Sequence, residues 1–345
     1  KKKSKLYPLV LNICEYCLTV AQQFHINQKK LFPKKYHYRA RFTKDVISGQ
    51  KNLVQRTEKL FGPLKNKYVL DIGANDFSLL NIFKKIGAKT IGVEPTNAIK
   101  DASKKHIKYQ SYFNKKIALK IKKNCGVINF ITFTNVFAHI NDFKKLLSNL
   151  KILLTNNTVL IVENHYLGSV LKEKQFDTFY SEHLRTYSFQ SFIYIAKFLK
   201  LNISFVEFPK RYGGNIRVVM SRNIVKEKVK KPEDSFIISD FQKIQSYYES
   251  WNFNSKYVIE GLVNSGSQFN GKSLPGRGVM LINSLDISKS FMPKVFEQDF
   301  SPKVGNYVPG TDIYIDKDKN ISGDNLIIWS WHVVDEIISY LERIN

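Results

Sequence analysis

The 345-residue chain has few cysteines and no long apolar run, and both absences restrict the kind of protein that it is. Three cysteines do not make the disulfide framework of a small secreted domain, so we expect a cytoplasmic protein. No apolar run reaches the roughly 18 residues that a membrane-spanning helix needs, so we expect no membrane partner. The length leaves room for two domains and a small appendage.

The chain is also poor in acidic residues, since 29 Asp and Glu stand against 54 Lys and Arg, for a net charge of +25. Such an excess raises the question of nucleic acid as a partner. Only nine of the 54 are arginines, the residue whose bidentate fork suits bases and phosphates, and the lysines are scattered over nearly every predicted helix. We interpret the lysines mainly as solvated helix faces and expect no nucleic-acid partner. A basic cleft would also suit a nucleotide-diphosphate substrate.

The chain also has few glycines at the turn where a nucleotide ligand would bind. The run Tyr68–Asp76 predicts an apolar strand that ends in a turn with one glycine, Gly73, before a helix begins. A second apolar strand ends at Glu94, 21 residues beyond Gly73, as in a nucleotide-binding βαβ unit. Because the full G-x-G-x-x-G is absent, the turn builds no pyrophosphate cradle. We therefore predict a ligand with a ribose and no pyrophosphate, namely S-adenosylmethionine (SAM).

The residues predicted to bind SAM lie where strands end, because ligands of doubly wound sheets lie over the C-terminal ends of the first strands. Asp71, Gly73 and Asn75 belong to the turn under the methionine part. Glu94 is placed at the ribose, and Asn135, which ends the fourth strand, is placed at the reacting centre. An alternative is that Asp71 and Asn75 merely cap the helix that follows.

From residue 46 to residue 224 strands and helices alternate, which predicts an α/β fold with a doubly wound, mostly parallel sheet. The short link 210–214 predicts an antiparallel hairpin at the edge of this sheet, as in SAM-dependent methyltransferases. The predicted strands are 68–73, 90–94, 107–111, 126–135, 157–164, 202–208 and 214–220, and the predicted helices are 78–86, 96–105, 114–123, 141–153 and 188–200.

After a Lys-rich linker that contains Pro232, the pattern predicts a second, smaller α/β domain. A long helix over 233–268 is followed by the turn Pro275–Gly278 and the apolar run Val279–Ile282. Short strands near 296–299, 312–315 and 325–331 precede a closing helix over 332–344. We therefore divide the chain into an N-terminal segment, 1–45, a cofactor-binding core, 46–224, and a C-terminal domain, 225–345.

The N-terminal segment contains one Cys-x-x-Cys pair, Cys14 and Cys17. Such a pair is half of a structural zinc site, which needs four ligands, and the sequence has no second pair. Either the other ligands lie upstream of Lys1, or the pair is only packed; we expect His25 to be an ordinary surface histidine. The basic start Lys1–Lys5 with its apolar continuation resembles a secretory signal, which the acidic and cysteine residues interrupt, so we predict none.

A second polar cluster, Tyr180-Ser181-Glu182-His183, follows the fifth strand and is expected to overhang the same edge of the sheet. A histidine with an adjacent glutamate and a tyrosine three residues earlier is a workable general-base set. A polar loop with a surface histidine is the alternative. His139 and His165, also near strand ends, are competing candidates for the base.

The chain resembles the SAM-dependent nucleotide-sugar C-methyltransferases, which act on dTDP-4-keto-deoxysugars. The resemblance spans nearly the whole chain, and two of its blocks, Tyr-x-Glu-His and Pro-Gly-Thr, are specific to that family. The matching stretches are Tyr7–Leu9 to Cys17, Leu70–Asp76, Gly92–Pro95, Asn135–Ile140, Phe176–His183, Gly213–Arg217, Arg277-Gly278 and Asp299–Thr311.

The resemblance implies a class I methyltransferase core, a zinc-binding N-terminal segment and a C-terminal domain that binds substrate. It implies methyl transfer to carbon through an enolate, with His183 as base, Glu182 orienting it and Tyr180 donating to the oxyanion. For Arg277 and Lys303 the implied role is contact with substrate phosphates. An O- or N-methyltransferase of the same fold stays open, as does a homologue without catalysis. Phe77 stands where the family has glycine, which we expect to narrow the cofactor turn.

Overall fold

The computed structural model describes residues 7–36, 38–223, 231–323 and 325–344. The basic start Lys1–Lys5 and most of the predicted Lys-rich linker, 224–230, lie outside the described residues. The chain forms two compact units. The larger unit combines Val10–Ser169 with Ser181–Ile238, and the smaller combines residues 7–9 with Val170–Tyr180 and the described residues of Ser239–Asn345. This division differs from the predicted one, because residues 10–45 join the core and Val170–Tyr180 leaves it.

The elements of the larger unit alternate much as predicted. Its strands are β1 (Leu11–Ile13), β2 (Val20–Gln22), β3 (Tyr68–Ile72), β4 (Lys89–Val93), β5 (Ile107–Tyr109), β6 (Phe130–Thr134), β7 (Val159–His165), β8 (Arg185–Thr186), β9 (Asn202–Glu207) and β10 (Asn215–Ser221). Its helices are α1 (Gln28–Leu31), α2 (Lys44–Phe61), α3 (Ser78–Lys85), α4 (Lys115–Cys125), α5 (Phe143–Leu150), α6 (Leu167–Lys172) and α7 (Phe189–Leu199).

Seven of these strands form one sheet in the order β5-β4-β3-β6-β7-β10-β9. The pairs from β5 to β7 are parallel, whereas β10 is antiparallel to both β7 and β9. The hairpin β9–β10 thus forms one edge, and the predicted doubly wound fold is confirmed. Apolar strand residues are buried on both faces, by α4, α5 and α7 on one side and by α2 and α3 on the other. The order reverses between β3 and β6, which is where ligands of such sheets bind.

Two helical predictions differ from the structure. The predicted helix over 96–105 is only a short 3₁₀ turn, Asn97–Asp101, and the 18-residue helix α2 was not predicted. Helix α2 is rich in polar residues, yet Val46, Leu53 and Val54 fall on one face and are buried. The helix ends at Gly62, whose φ of +76° suits glycine.

A separate three-stranded antiparallel sheet, β1-β2-β8, contains the N-terminal hairpin. The pair Cys14 and Cys17 lies in the turn between β1 and β2. Strand β8 follows the Glu182-His183 loop and pairs with β2, with Val20 opposite Thr186. The hairpin that carries the cysteines is thereby fixed to the loop that carries the predicted base.

The smaller unit has its own open sheet, which is parallel throughout. Its elements are α8 (Ile237–Asn264), β11 (Asn270–Lys272), α9 (Gly276–Ser284), β12 (Lys294–Glu297), β13 (Tyr314–Lys317), β14 (Leu326–Ile328) and α10 (Val334–Ile344). The strand order is β13-β12-β11-β14. The order in which strands follow along the chain therefore reverses next to β11, the first strand of this sheet. The predicted Pro275–Gly278 turn begins α9, with Pro275 at the N-cap.

Candidate functional site

The turn after β3 is built tightly around Gly73, whose φ is +78°. The Gly73 and Ala74 amides donate to the Val93 carbonyl at 2.8 and 3.2 Å. A Cβ at Gly73 would lie 2.6 Å from Cγ2 of Val136, so glycine is needed both for the backbone angle and for space. The backbone therefore closes on β4 and leaves the turn open to a ligand at the switch point.

Glu94, immediately after β4, is buried at this turn. One carboxylate oxygen accepts the Asn75 amide and the other accepts the Thr96 amide, each at 2.9 Å. These two bonds fix the plane of the carboxylate and leave lone pairs for further donors, because each oxygen accepts more than one hydrogen bond. A vicinal pair of ribose hydroxyls is a suitable donor set.

Asp71 is buried near the end of β3 and accepts a hydrogen bond of 2.7 Å from the Thr132 hydroxyl. Burial raises the pKa of Asp71 to about 7; the bond from Thr132 opposes this rise and the charge of Glu94 adds to it. A carboxyl that titrates near neutrality is one that a cationic ligand would ionise on binding.

Asn75 and Asp71 do not cap α3, so the capping alternative is wrong. The Asn75 side chain instead accepts the Ala40 amide at 3.0 Å and donates to the Tyr38 carbonyl at 3.2 Å. The carboxylate beside the start of α3 is that of Asp76, which accepts from both the amide and the hydroxyl of Ser78. Asn75 therefore joins the cofactor turn to residues 32–43, which we call the N-terminal strap.

Asn135 follows β6 in a left-handed conformation, with φ of +54°, and its amide donates to the Glu163 carbonyl at 2.7 Å. Glu163 itself is fully buried on β7. Its carboxylate accepts hydrogen bonds from Arg211 at 2.8 Å, from Asn215 at 3.0 Å and from Arg217 at 2.7 Å. The Gly-Gly-Asn-x-Arg pattern is thus explained, since Asn215 and Arg217 share one face of β10 and both bind Glu163.

Three histidines cluster at the C-terminal edge of the sheet: His165 and His183 are buried, and His139 is partly buried. The ring of His183 lies 5.2 Å from that of His139 and 5.0 Å from that of His165, centroid to centroid. Nδ1 of His139 lies 2.8 Å from the Glu182 carbonyl oxygen, so this nitrogen carries a proton. Burial lowers the pKa of His139, which keeps that ring neutral. His139 and His165, the two competing candidates for the base, therefore each lie next to His183.

Three tyrosines at this edge were not predicted. Burial, and then the charges of Glu182 and Glu94, raise the pKa of Tyr36, so its phenol stays protonated between the two carboxylates. Desolvation of the hydroxyl groups also raises the pKa of Tyr212 and of Tyr38, which are hydrogen-bonded to each other, although 38% of Tyr38 as a whole is exposed. The sequence feature that could have indicated these tyrosines is the aromatic character of the N-terminal strap and of the Arg-Tyr-Gly-Gly link.

The remaining predicted site residues belong to the smaller unit. The ring of Tyr180 lies against Gly276 at the start of α9. Arg277 is buried and donates to Thr178 at 2.5 Å. Lys303 donates to the Leu274 carbonyl at 2.6 Å and to Glu297 at 3.2 Å. Both cations expected at substrate phosphates therefore already contact protein groups.

Phe77 points away from the cofactor turn. It has a φ of +66°, and its fully buried ring lies 5.4 Å from that of His106. A Cβ at Gly92 would lie 2.2 Å from the Phe77 ring, so the glycine of β4 provides the space. The expected narrowing of the turn is not seen, because the ring occupies the core beneath β4.

Cys14 and Cys17 are free thiols, and hydrogen bonds from the Cys17 and Tyr16 backbone outweigh burial and lower the pKa of Cys14. Across the described ranges, no group of three or more His, Cys, Asp or Glu is placed to hold a metal ion. His25 is bonded to the Gln22 carbonyl at 2.9 Å. The two thiols fit half of a tetrahedral zinc site, and the described residues do not complete it. No described helix is long and apolar enough to cross a membrane.

Comparisons with known proteins identify methyltransferase domains in this chain. Residues 43–197 match the family model described as a methyltransferase domain, and residues 210–345 match the model described as a C-methyltransferase C-terminal domain. The C-methyltransferase NovU of Streptomyces niveus is 23% identical over 348 residues, which cover 96% of this chain and 82% of that protein.

Two solved structures illustrate the structural likeness. A SAM-dependent methyltransferase from Anabaena variabilis has a TM-score of 0.41 at 15% identity, over 52% of this chain and 86% of its own. Magnesium protoporphyrin IX methyltransferase from Synechocystis with bound SAM has a TM-score of 0.37 at 12% identity, over 52% and 81%.

Proposed function

We propose that this chain, a SAM-dependent methyltransferase, transfers the methyl group to a carbon atom of a nucleotide-linked 4-keto-deoxysugar through an enolate. The observation that carries the proposal is the histidine cluster at the C-terminal edge of the sheet, in which the His183 ring lies 5.2 Å from that of His139 and 5.0 Å from that of His165. The match to a C-methyltransferase C-terminal domain supports carbon as the acceptor. The free-thiol cysteines and the nucleotide-linked substrate suit the cytoplasm.

The residues around the turn fit SAM. Glu94 offers carboxylate lone pairs to the ribose hydroxyls, and Gly73 keeps the backbone open where a Cβ would meet Val136. Asp71 places a carboxyl where the amino group of the methionine part would lie, and Asn135 extends the same edge. When bound, SAM supplies an electrophilic methyl group on sulfonium.

A carbon nucleophile must be made before a methyl group can be accepted, and a C–H next to a ketone is acidic because its anion is an enolate. His183 removes that proton, since a neutral imidazole is the side chain best matched to such a task near neutral pH. His139 donates to the Glu182 carbonyl and so fixes the backbone that carries the base. Glu182 orients the base, and Tyr180, three residues before it in the chain, donates to the enolate oxygen.

The substrate class rests on charge and on domain composition. The chain carries a net charge of +25, which favours an anionic substrate such as a nucleoside diphosphate. The C-methyltransferase from Streptomyces niveus matches along nearly the whole chain, so the smaller unit is common to both proteins. We assign that unit to substrate binding, with Lys303 as a candidate for phosphate contact.

The test is mass spectrometry of the enzyme with a panel of nucleotide-linked 4-ketosugars in heavy water. We expect the sugar to gain one methyl group with SAM, and to take up deuterium beside the ketone when SAM is left out. His183→Ala should lower the rate of methyl transfer and the rate of deuterium uptake by about 100-fold or more, while SAM still binds. His106→Asn, which alters a buried histidine bonded to Thr90 and Asn81, is the matched control.

Two other outcomes would change the assignment. A methyl gain without deuterium uptake would move the reaction to oxygen or nitrogen, with the His183 set deprotonating a hydroxyl. No methyl gain on any ketosugar, while SAM still binds, would contradict the substrate class.

A further inference from the structure

We propose that Arg277 is a positioning residue, which holds the turn that carries Tyr180, and not a ligand of substrate phosphates. The inference rests on the proposed role of Tyr180 as donor to the enolate oxygen. Arg277, Tyr180 and the turn between them in space all belong to the smaller unit.

Arg277 is the second residue of α9, and its guanidinium is directed at the turn 176–178. Nη2 donates to the Thr178 hydroxyl at 2.5 Å, and Nη1 lies 3.8 Å from the Asp177 carboxylate. The guanidinium carbon also lies 5.3 Å from the centre of the Trp331 ring. Because a buried charge is costly unless it is paired, these partners determine where the guanidinium lies.

The same turn is held from two further directions. The indole N–H of Trp331 donates to the Asp177 carboxylate at 2.8 Å. On the other side, the ring of Phe176 lies 4.7 Å from that of Trp251 and 5.2 Å from that of Tyr248, both on α8. Three elements of the smaller unit thus fix a turn that, in sequence, belongs between α6 and β8.

Tyr180 follows this turn by two residues and lies against the helix that carries Arg277. A Cβ at Gly276 would lie 2.6 Å from Cε2 and 3.1 Å from Cδ2 of Tyr180, so the ring packs directly on the glycine backbone. The Pro-Gly-Arg turn therefore does two things: its glycine seats the tyrosine ring, and its arginine holds the preceding residues.

The burial of Arg277 argues against a phosphate ligand. Its side chain is about 5% exposed, and Asp177 is about 6% exposed. An incoming phosphate would have to reach a side chain that lies beneath the protein surface and compete there with the Asp177 carboxylate for Nη1.

The experiment compares Arg277→Gln, Arg277→Lys and Tyr180→Phe with the double variant Arg277→Gln/Tyr180→Phe. We expect Arg277→Gln to lower kcat by roughly 10- to 100-fold with KM little changed, because a small misplacement of a reacting group costs this much. Arg277→Lys should recover part of the loss through Asp177. The double variant should be no slower than Tyr180→Phe alone, since Arg277 acts through that residue.

Lys272→Met is the matched control, because it removes a buried ion pair of the same unit, with Asp318 at 2.9 Å. It should lower stability but leave the deuterium uptake of the substrate within a few fold. If Arg277→Gln instead raises KM, weakens inhibition by free nucleoside diphosphate and adds to Tyr180→Phe, Arg277 is a phosphate ligand and the proposal is overturned.

A second measurement does not depend on the substrate. Amide hydrogen exchange of the protein should rise in the peptide 174–183 for Arg277→Gln and not for Lys272→Met. If wild-type enzyme methylates no ketosugar, the proposed function fails, and this readout still decides whether Arg277 holds the turn. Unchanged exchange in that peptide would overturn the positioning role.

Discussion

Replacing Asp71 with asparagine should change how the stability of the protein depends on pH. Asp71 is buried in β3, where burial raises its pKa to about 7 from an ordinary 3.8. In the folded protein the carboxyl therefore keeps its proton at pH values where the unfolded chain has released it. Asparagine keeps nearly the same shape and can accept the same bond from Thr132, but it does not titrate.

The sign and size follow from the two pKa values. Stability is greatest below pH 3.8, declines by about 1.4 kcal/mol per pH unit up to about pH 7, and is level above it. Between pH 5 and pH 8 the wild-type free energy of unfolding should therefore fall by about 3 kcal/mol through this group. The Asn variant lacks this contribution, so its free energy of unfolding should rise relative to that of the wild type as the pH increases to about 7.

The assay is urea unfolding of wild type and Asp71→Asn at pH 5, 6, 7 and 8. Thr132→Val is an informative companion, because it removes the bond that lowers the pKa of Asp71. In that variant the decline should continue to higher pH. Wild-type and Asn curves that stay parallel within 1 kcal/mol would refute a raised pKa at this site.

The same carboxyl should affect SAM binding. Since only the ionised form attracts the ammonium group of the methionine part, wild-type affinity for SAM should rise with pH up to about 7 and then level off. Calorimetric titration of Asp71→Asn should show weaker binding without this rise. A pH-dependent rise that persists in the variant would place the ammonium group elsewhere.

Three further substitutions test the surrounding structure by urea unfolding. Glu163→Gln should lower stability by about 3–5 kcal/mol, because it removes the buried carboxylate that pairs with both Arg211 and Arg217 and leaves them only the more exposed Asp45 and Glu207. A loss below 1 kcal/mol would contradict this. Gly92→Ala should cost about 1–3 kcal/mol, because its Cβ would meet the Phe77 ring, and Phe77→Leu in the same chain should recover part of it. Asn164→Leu should raise stability by about 1–2 kcal/mol, because neither polar atom of this buried amide has a hydrogen-bond partner among the described residues. A loss of stability would show that the amide does have such a partner.

The cofactor turn could be predicted because its determinants are local. The apolar strand before Gly73 and the one before Glu94 are each visible as a run, and parallel neighbours bring both ends to one edge. The antiparallel hairpin β9–β10 was predictable for the same reason, since its link is only a few residues long.

Other features depend on partners far away in the sequence. Helix α2 was missed because its apolar face is narrow, and it is recognisable only against the residues of β3 and α3 that cover it. The direction of Phe77 is set by the space at Gly92, and the role of Asn75 by the N-terminal strap 35 residues earlier. None of these partners can be identified from the local pattern.

Val170–Tyr180 is the clearest case of a segment whose place is decided elsewhere. By sequence it is a connection within the larger unit, and one of its apolar residues is Phe176. That ring completes an aromatic cluster on α8, some 70 residues later, and burying it there is more favourable than exposing it in a loop. Tyr180 and Ser181 are consecutive residues of different units, so the chain leaves the larger unit at Val170 and re-enters it directly before the Glu182-His183 loop.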